Sequence, residues 1–136
     1  MDKIFNKITN IMEKIDKCKE IEFCNLKPTT LREDAGVYII QEKKTKEVFY
    51  VGRTINLSQR LYTNHLQGNL STARLKKYLV EDNQRFPNIK TKEDAKEYIK
   101  NNCSFKYIKV KEYKERGHIE GLLGYMLNSY YIEKER

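Results

Sequence analysis

The stretch Tyr50-Val51-Gly52-Arg53-Thr54-Ile55-Asn56-Leu57-Ser58-Gln59-Arg60-Leu61-Tyr62-Thr63-Asn64-His65 is where this chain passes from strand-like to helix-like spacing. Glu47-Val48-Phe49-Tyr50-Val51 is β-branched and aromatic, a composition that suits a pleated, half-buried surface. Gly52 reads as the end of that strand, because glycine accepts backbone angles that other residues resist. The chain then restarts as a helix. Asn56, with Gln59 three residues on, reads as its N-cap, and Leu57 and Leu61 open an apolar stripe. Arg60 lies off that stripe, in the first turn.

Working upstream, Val37-Tyr38-Ile39-Ile40 predicts a second strand, and the polar run Gln41 to Lys46 predicts a hairpin loop between the two. Strands of similar length around a polar turn favour antiparallel pairing, which places Gly36-Val37-Tyr38 beside Tyr50-Val51-Gly52 and brings two tyrosines together. Lys27-Pro28-Thr29-Thr30 breaks any helix before that. Ile4, Ile8, Ile11, Met12 and Ile15 recur at helical spacing from Asp2 to about Lys17, with Lys3, Lys7, Lys14 and Lys17 toward water. That helix reads as a cap on the domain rather than a membrane anchor.

Downstream, Ser71 or Thr72 can cap a second helix reaching Glu81, and Thr91 with Asp94 predicts a capping box for a third, ending near Asn101. Ser104 to Tyr113 alternates as a strand, with Phe105 and Tyr107 on one face and Ile108 and Val110 on the other. From about Arg116, Ile119, Leu122, Leu123, Met126, Leu127 and Tyr130 follow helical spacing, with Glu120 at the margin of the stripe. The expected architecture is therefore α/β, or more narrowly α+β: a three-stranded antiparallel sheet flanked by helices. Residues 1–34 form the N-terminal helix and lead-in, and residues 35–136 one compact domain.

The 136 residues carry 27 Lys and Arg against 19 Asp and Glu, a net charge of +8 that favours a polyanionic partner or simply a basic soluble protein. No apolar run reaches the length of a membrane span, and no cleavable apolar leader stands at the start, so the chain reads as cytoplasmic with no membrane association. The 3 cysteines lack metal-type spacing and read as reduced thiols.

Together these residues resemble the GIY-YIG nuclease family. Its first triplet corresponds to Gly36-Val37-Tyr38 and its second to Tyr50-Val51-Gly52, each with valine in the middle. Arg53, Asn56-Leu57 and Arg60 match its basic position, helix opening and catalytic arginine. Glu120 matches its metal-binding glutamate, followed by Leu127-Asn128 and Tyr130-Tyr131. The likeness runs from about Ala35 to Tyr131 and leaves out the N-terminal helix. Two triplets, an arginine and a distant glutamate in order are far more specific than either triplet alone.

The resemblance implies a divalent-metal-dependent endonuclease acting on DNA, structured or branched forms included. Arg60 would stabilise phosphate charge with its planar donors, and Glu120 would hold Mg²⁺ or Mn²⁺ together with water and substrate oxygens. Either Tyr38 or Tyr50 would take the water's proton; a free phenol titrates near 10, so a neighbouring cation such as Arg53 must help. Lys43, Lys44, Lys46, Arg74, Lys76 and Lys77, with Arg53, are the expected phosphate contacts. Family members often carry a histidine or tyrosine one turn after the arginine. Asn64 stands there in this chain, and His65 follows one residue later, which a regular helix of about 100° per residue would point elsewhere. Tyr62 is a weaker choice, and His118 reads as incidental. The bland alternatives are half-buried strand tyrosines among the 10 present, a solvated Arg60, and a Glu120 paired with Arg116. The functional alternative is a non-catalytic nucleic-acid-binding module of the same fold; a protein-interaction scaffold is the third.

Overall fold

The computed structural model describes residues 2–68 and 74–133, without the side chain at position 64. The expected cap at Ser71 or Thr72 lies outside the described residues. Helix α1, Asp2–Lys17, precedes a two-residue strand β1, Ile21–Glu22, and a short 3₁₀ turn at Phe23–Asn25. The hairpin follows as β2, Gly36–Glu42, and β3, Val48–Thr54. A π-wound helix, Gln59–Leu66, leads to α2, Arg74–Glu81, and α3, Lys92–Asn102. Strand β4, Cys103–Lys109, and helix α4, Tyr113–Met126, complete the fold.

Among the described residues the sheet has four strands in the order β1-β4-β2-β3, with every pairing antiparallel. The sequence led us to expect three. The extra strand pairs only Ile21 with Phe105 and Glu22 with Ser104, and two residues are too few to display the alternation by which a strand is read. The β2–β3 register sets Tyr38 opposite Gly52 and Ile40 opposite Tyr50, then shifts so that Gln41 faces Val48. Phe49 is the extra residue of a β-bulge. The bulge lets Phe49 and Tyr50 both join the core on one face, while Val48 and Val51 join the other.

That first face holds the larger core, in which Tyr38, Ile40, Phe49 and Phe105 pack against the π-wound helix, α2 and α3. The Thr91–Asp94 capping box is present, with Asp94 N donating to Thr91 Oγ1 at 3.1 Å and Thr91 N to Asp94 Oδ2 at 3.2 Å. The second face packs Val37, Ile39 and Ile108 against Ile119 and Leu123 of α4 and Ile15 of α1. The stripe of α1 is covered only toward its end, since Ile4 and Phe5 remain exposed. Helix α4 begins earlier than the apolar pattern suggested: the Glu112 carboxylate accepts from Lys114 N and Glu115 N, and so caps it at Tyr113. Asn128, at φ 51°, turns the chain out of α4, and Tyr130 N and Tyr131 N donate to the carbonyls of Val48 and Phe49. This tail covers the start of edge strand β3 and, among the described residues, leaves the stretch from Tyr50 onward unpaired on that side.

Gly52 does not end β3, which continues to Thr54, and no described glycine has a positive φ. It is required for space: a Cβ there would run into the Tyr38 phenol. Gly52→Ala is therefore expected to cost about 1–3 kcal/mol through overpacking. Urea unfolding checks this: a lowered midpoint is expected, and an unchanged midpoint would show that the two residues do not meet.

Candidate active site

The start of the π-wound helix is fixed by short polar bonds. Thr54 Oγ1 accepts from Asn56 N at 3.0 Å, and Asn56 Oδ1 accepts from Gln59 N at 3.0 Å, as expected of an N-cap. Gln67 N then donates to Tyr62 O at 3.0 Å, an i→i+5 bond that adds close to one residue per turn. The fifth residue after Arg60 consequently takes the place that the fourth would hold in a regular helix. That residue is His65, which is 1% exposed, with Nε2 2.7 Å from the Tyr38 hydroxyl. The departure of Asn64 and His65 from the family spacing is resolved by the winding. The signal was present in the apolar pattern, since Leu57, Leu61 and Leu66 are all buried at spacings of four and then five.

Lys76 secures the far end of this helix. Its ammonium is buried and donates to Leu66 O and Gly68 O, both at 2.6 Å, and burial lowers its pKa to about 8. It is not an open phosphate contact, and sequence could not have distinguished it from its exposed neighbour Lys77.

Tyr38, Tyr50 and His65 form one aromatic group, with the Tyr38–Tyr50 centroids 6.2 Å apart and each tyrosine ring 5.4 Å from the imidazole. Burial raises the pKa of both phenols, far more for Tyr38 than for the half-buried Tyr50. Burial, with Arg60 and Lys76 nearby, pushes His65 down to about 3, so the ring is neutral at ordinary pH. Either the Tyr38 hydroxyl donates to a bare Nε2, or Nε2–H donates to the phenol oxygen, according to the tautomer.

Arg53 leaves β3 on the opposite face and lies over α4. Gly117 makes room for it, because a Cβ there would come within 2.5 Å of Arg53 Nη1. Arg53 Nη1 stands 3.9 Å from Glu120 Oε1, at the long limit of an ion pair. Burial raises the Glu120 pKa, with Arg53 and then Arg74 opposing the shift. Arg116 is not the partner of Glu120. Its Nη1 donates to Val110 O at 3.1 Å and Lys111 O at 2.6 Å, and the side chain is buried there.

Two clefts flank the Arg53–Glu120 pair. One, of about 620 Å³, is lined by Arg53, Arg60, Lys114, Arg116 and His118 among others. The other, of about 550 Å³, is lined by Tyr50, Arg74, Tyr78, Glu120, Tyr131 and Glu133 among others. A larger cleft, of about 690 Å³, lies between α1 and the sheet and includes none of these groups. Arg74 reaches the second cleft and pairs with Glu133 at 2.8 Å. Lys43, Lys44 and Lys46 are not brought to either cleft: they occupy the hairpin turn at the other end of β3, where Lys43 pairs with Glu22 at 3.6 Å and Lys46 with Glu20 at 2.7 Å. Lys114 was missed as a cleft residue because α4 was expected to start three residues later, and His118 because, two residues before Glu120, it faces away from that carboxylate and lines the other cleft.

The sequence matches the family model of the GIY-YIG catalytic domain over residues 34–134. The chain belongs to the GIY-YIG family. Nuclease activity is what that membership implies, and the match covers the hairpin, the π-wound helix and α4 but not α1. Comparison with curated protein sequences gives no match. Among solved structures the chain is similar to the GIY-YIG N-terminal endonuclease domain of UvrC from Thermotoga maritima, a point mutant bound to its catalytic divalent cation. The two share 22% identity over 92% of this chain and 97% of that one, with a TM-score of 0.40.

The neutral His65 gives this GIY-YIG domain a defined acid sensitivity. Its folded pKa of about 3 lies below the ordinary 6.5, so the unfolded chain binds the extra proton between those values. The stability linked to neutral His65 is complete above pH 6.5 and is lost as pH falls toward 3, by up to roughly 1.4 kcal/mol per pH unit. Melting temperatures from pH 7 to 4 should fall more steeply for the wild type than for His65→Asn. Parallel curves would mean that His65 is not buried neutral.

Proposed function

We propose that this domain is a divalent-metal-dependent endonuclease that hydrolyses phosphodiester bonds of DNA. The observation that carries the reading is the convergence on β3: the Tyr38–His65 pair and Tyr50 approach from one face, and Arg53 with Glu120 from the other. A surface that only bound nucleic acid would not need a half-buried carboxylate among its cations.

Among the described residues, no group of three or more His, Cys, Asp or Glu side chains could hold a metal ion alone. The donor available is the single Glu120 carboxylate, a hard oxygen whose burial would be eased by a cation. That fits Mg²⁺ or Mn²⁺, which bind through one or two carboxylates and fill the remaining positions with water and phosphate oxygens. When bound there, the ion would supply charge stabilisation to the phosphate and the departing oxygen.

The protein groups supply the rest. Arg60 lines the first cleft, where its planar, permanently charged guanidinium suits phosphate oxygens. Arg53 can clamp a neighbouring phosphate once released from its long contact with Glu120. For the base we favour Tyr50 over Tyr38. Tyr50 lines the cleft of Glu120, and Arg74 and Arg60 oppose the effect of burial on its phenol, favouring the phenolate that takes the proton of the attacking water. Tyr38, buried and hydrogen-bonded to neutral His65, packs beside Tyr50 and holds that ring in position. The free cysteines, Cys18, Cys24 and Cys103, agree with work in the reducing cytoplasm, and no helix among the described residues is long and apolar enough to cross a membrane.

Supercoiled plasmid incubated with Mg²⁺ or Mn²⁺ tests the proposal. Nicking is expected, lowered about 100- to 1,000-fold by Arg60→Ala or Glu120→Gln, and lowered more by Tyr50→Phe than by Tyr38→Phe. Binding of plasmid and of single-stranded DNA without scission of either under both metals would refute hydrolysis, and a larger loss from Tyr38→Phe would transfer the base to that residue.

A further inference from the structure

The first cleft carries more than charge. Ile55, two residues past Arg53, is 76% exposed, and Tyr113, the first residue of α4, is 67% exposed; both line the cleft with Arg53, Arg60 and Lys114. The arrangement recurs beyond the Arg53–Glu120 pair. There, Tyr125 at 85% and Ile132 at 72% exposure line the second cleft with Arg74. Each cleft thus joins arginine to one exposed tyrosine and one exposed isoleucine.

A polyanion accounts for the cations but not for these apolar surfaces, which gain by leaving water only if a flat apolar face covers them. The α4 amides do not serve as the anion site, because the Glu112 carboxylate already takes Lys114 N and Glu115 N. Side chains must therefore do the binding. Nucleobases offer the required faces, yet in a duplex these are stacked inside and only their edges reach the grooves. A strand with unpaired bases can set its phosphates on Arg53 and Arg60 while a base lies on Tyr113.

We propose that this domain takes its substrate as an unpaired DNA strand running through both clefts, with bases stacked on Tyr113 before the Arg53–Glu120 pair and on Tyr125 beyond it. The inference rests on the nuclease reading above and adds the form of the substrate to it.

Fluorescence anisotropy in EDTA tests this with the full chain and three labelled probes of equal length: a thymidine strand, the same strand made abasic throughout, and a duplex. The thymidine strand is expected to bind roughly tenfold more tightly than the abasic one, and more tightly than the duplex. The double variant Tyr113→Ala, Tyr125→Ala should lose most of that preference while keeping its affinity for the abasic strand within about twofold, and Tyr113→Phe should retain the preference. Both tyrosines are exposed, so these substitutions leave the core intact. Equal binding of abasic and thymidine strands by the wild type, a duplex bound as tightly as the thymidine strand, or an equal loss on both strands in the double variant would overturn the proposal. A parallel cleavage assay with Mg²⁺ on supercoiled plasmid and on circular single-stranded DNA separates the two claims. Intact cleavage without base preference overturns only the unpaired strand, whereas base preference without cleavage of either DNA overturns only the nuclease reading.

Discussion

The approach of the Tyr38 ring to the bare backbone of Gly52 is the constraint on which the site depends. Antiparallel pairing sets the two residues opposite each other, and the absence of a Cβ at position 52 lets the phenol lie across β3 toward His65. A slip of one residue would send Tyr38 to the face of α1 and α4, because side chains alternate along a strand. The pairing then runs unbroken to Ile40 opposite Tyr50, which keeps Tyr50 on the Tyr38 face, so hairpin geometry alone brings the phenols together, and the bulge at Phe49 comes only after it.

Helix winding completes what the hairpin begins. The i→i+5 bond from Gln67 N to Tyr62 O carries His65 over Arg60 into the aromatic group, and buried Lys76 holds the helix end by two carbonyls. A helix wound this way gives up regular bonding geometry, and such winding recurs where function requires a side chain in an otherwise unreachable position. On the other face, Gly117 admits Arg53 and thereby links β3 to the carboxylate of α4. The chemistry is thus gathered around an edge strand, which presents both of its faces to a cleft in a way that a central strand cannot.

Much of this was legible in the residues. The hairpin strands, the Asn56 and Thr91 caps, the N-terminal helix and the late helix bearing Glu120 all announce themselves through alternation, helical spacing or capping chemistry. Features set by tertiary contact were not legible. Strand β1 is too short to have a period, and Gly52 was read as the end of its strand when its role is steric. Lys76 looks like any surface lysine until the carbonyls of Leu66 and Gly68 are seen above it. The hairpin lysines were expected to contact phosphates by virtue of their charge, but the strand separates them from Arg53 by its whole length.

The central claim is that phenols on the hairpin and a carboxylate on α4 belong to one site across β3. Paramagnetic broadening of backbone amide NMR signals on Mn²⁺ addition tests it most directly. The account predicts that the signals of Tyr38, Tyr50, Arg53 and Glu120 broaden together, while those of the hairpin turn at Lys43 to Lys46 remain sharp. Broadening confined to α4, or centred on the acidic residues of α1, would contradict it.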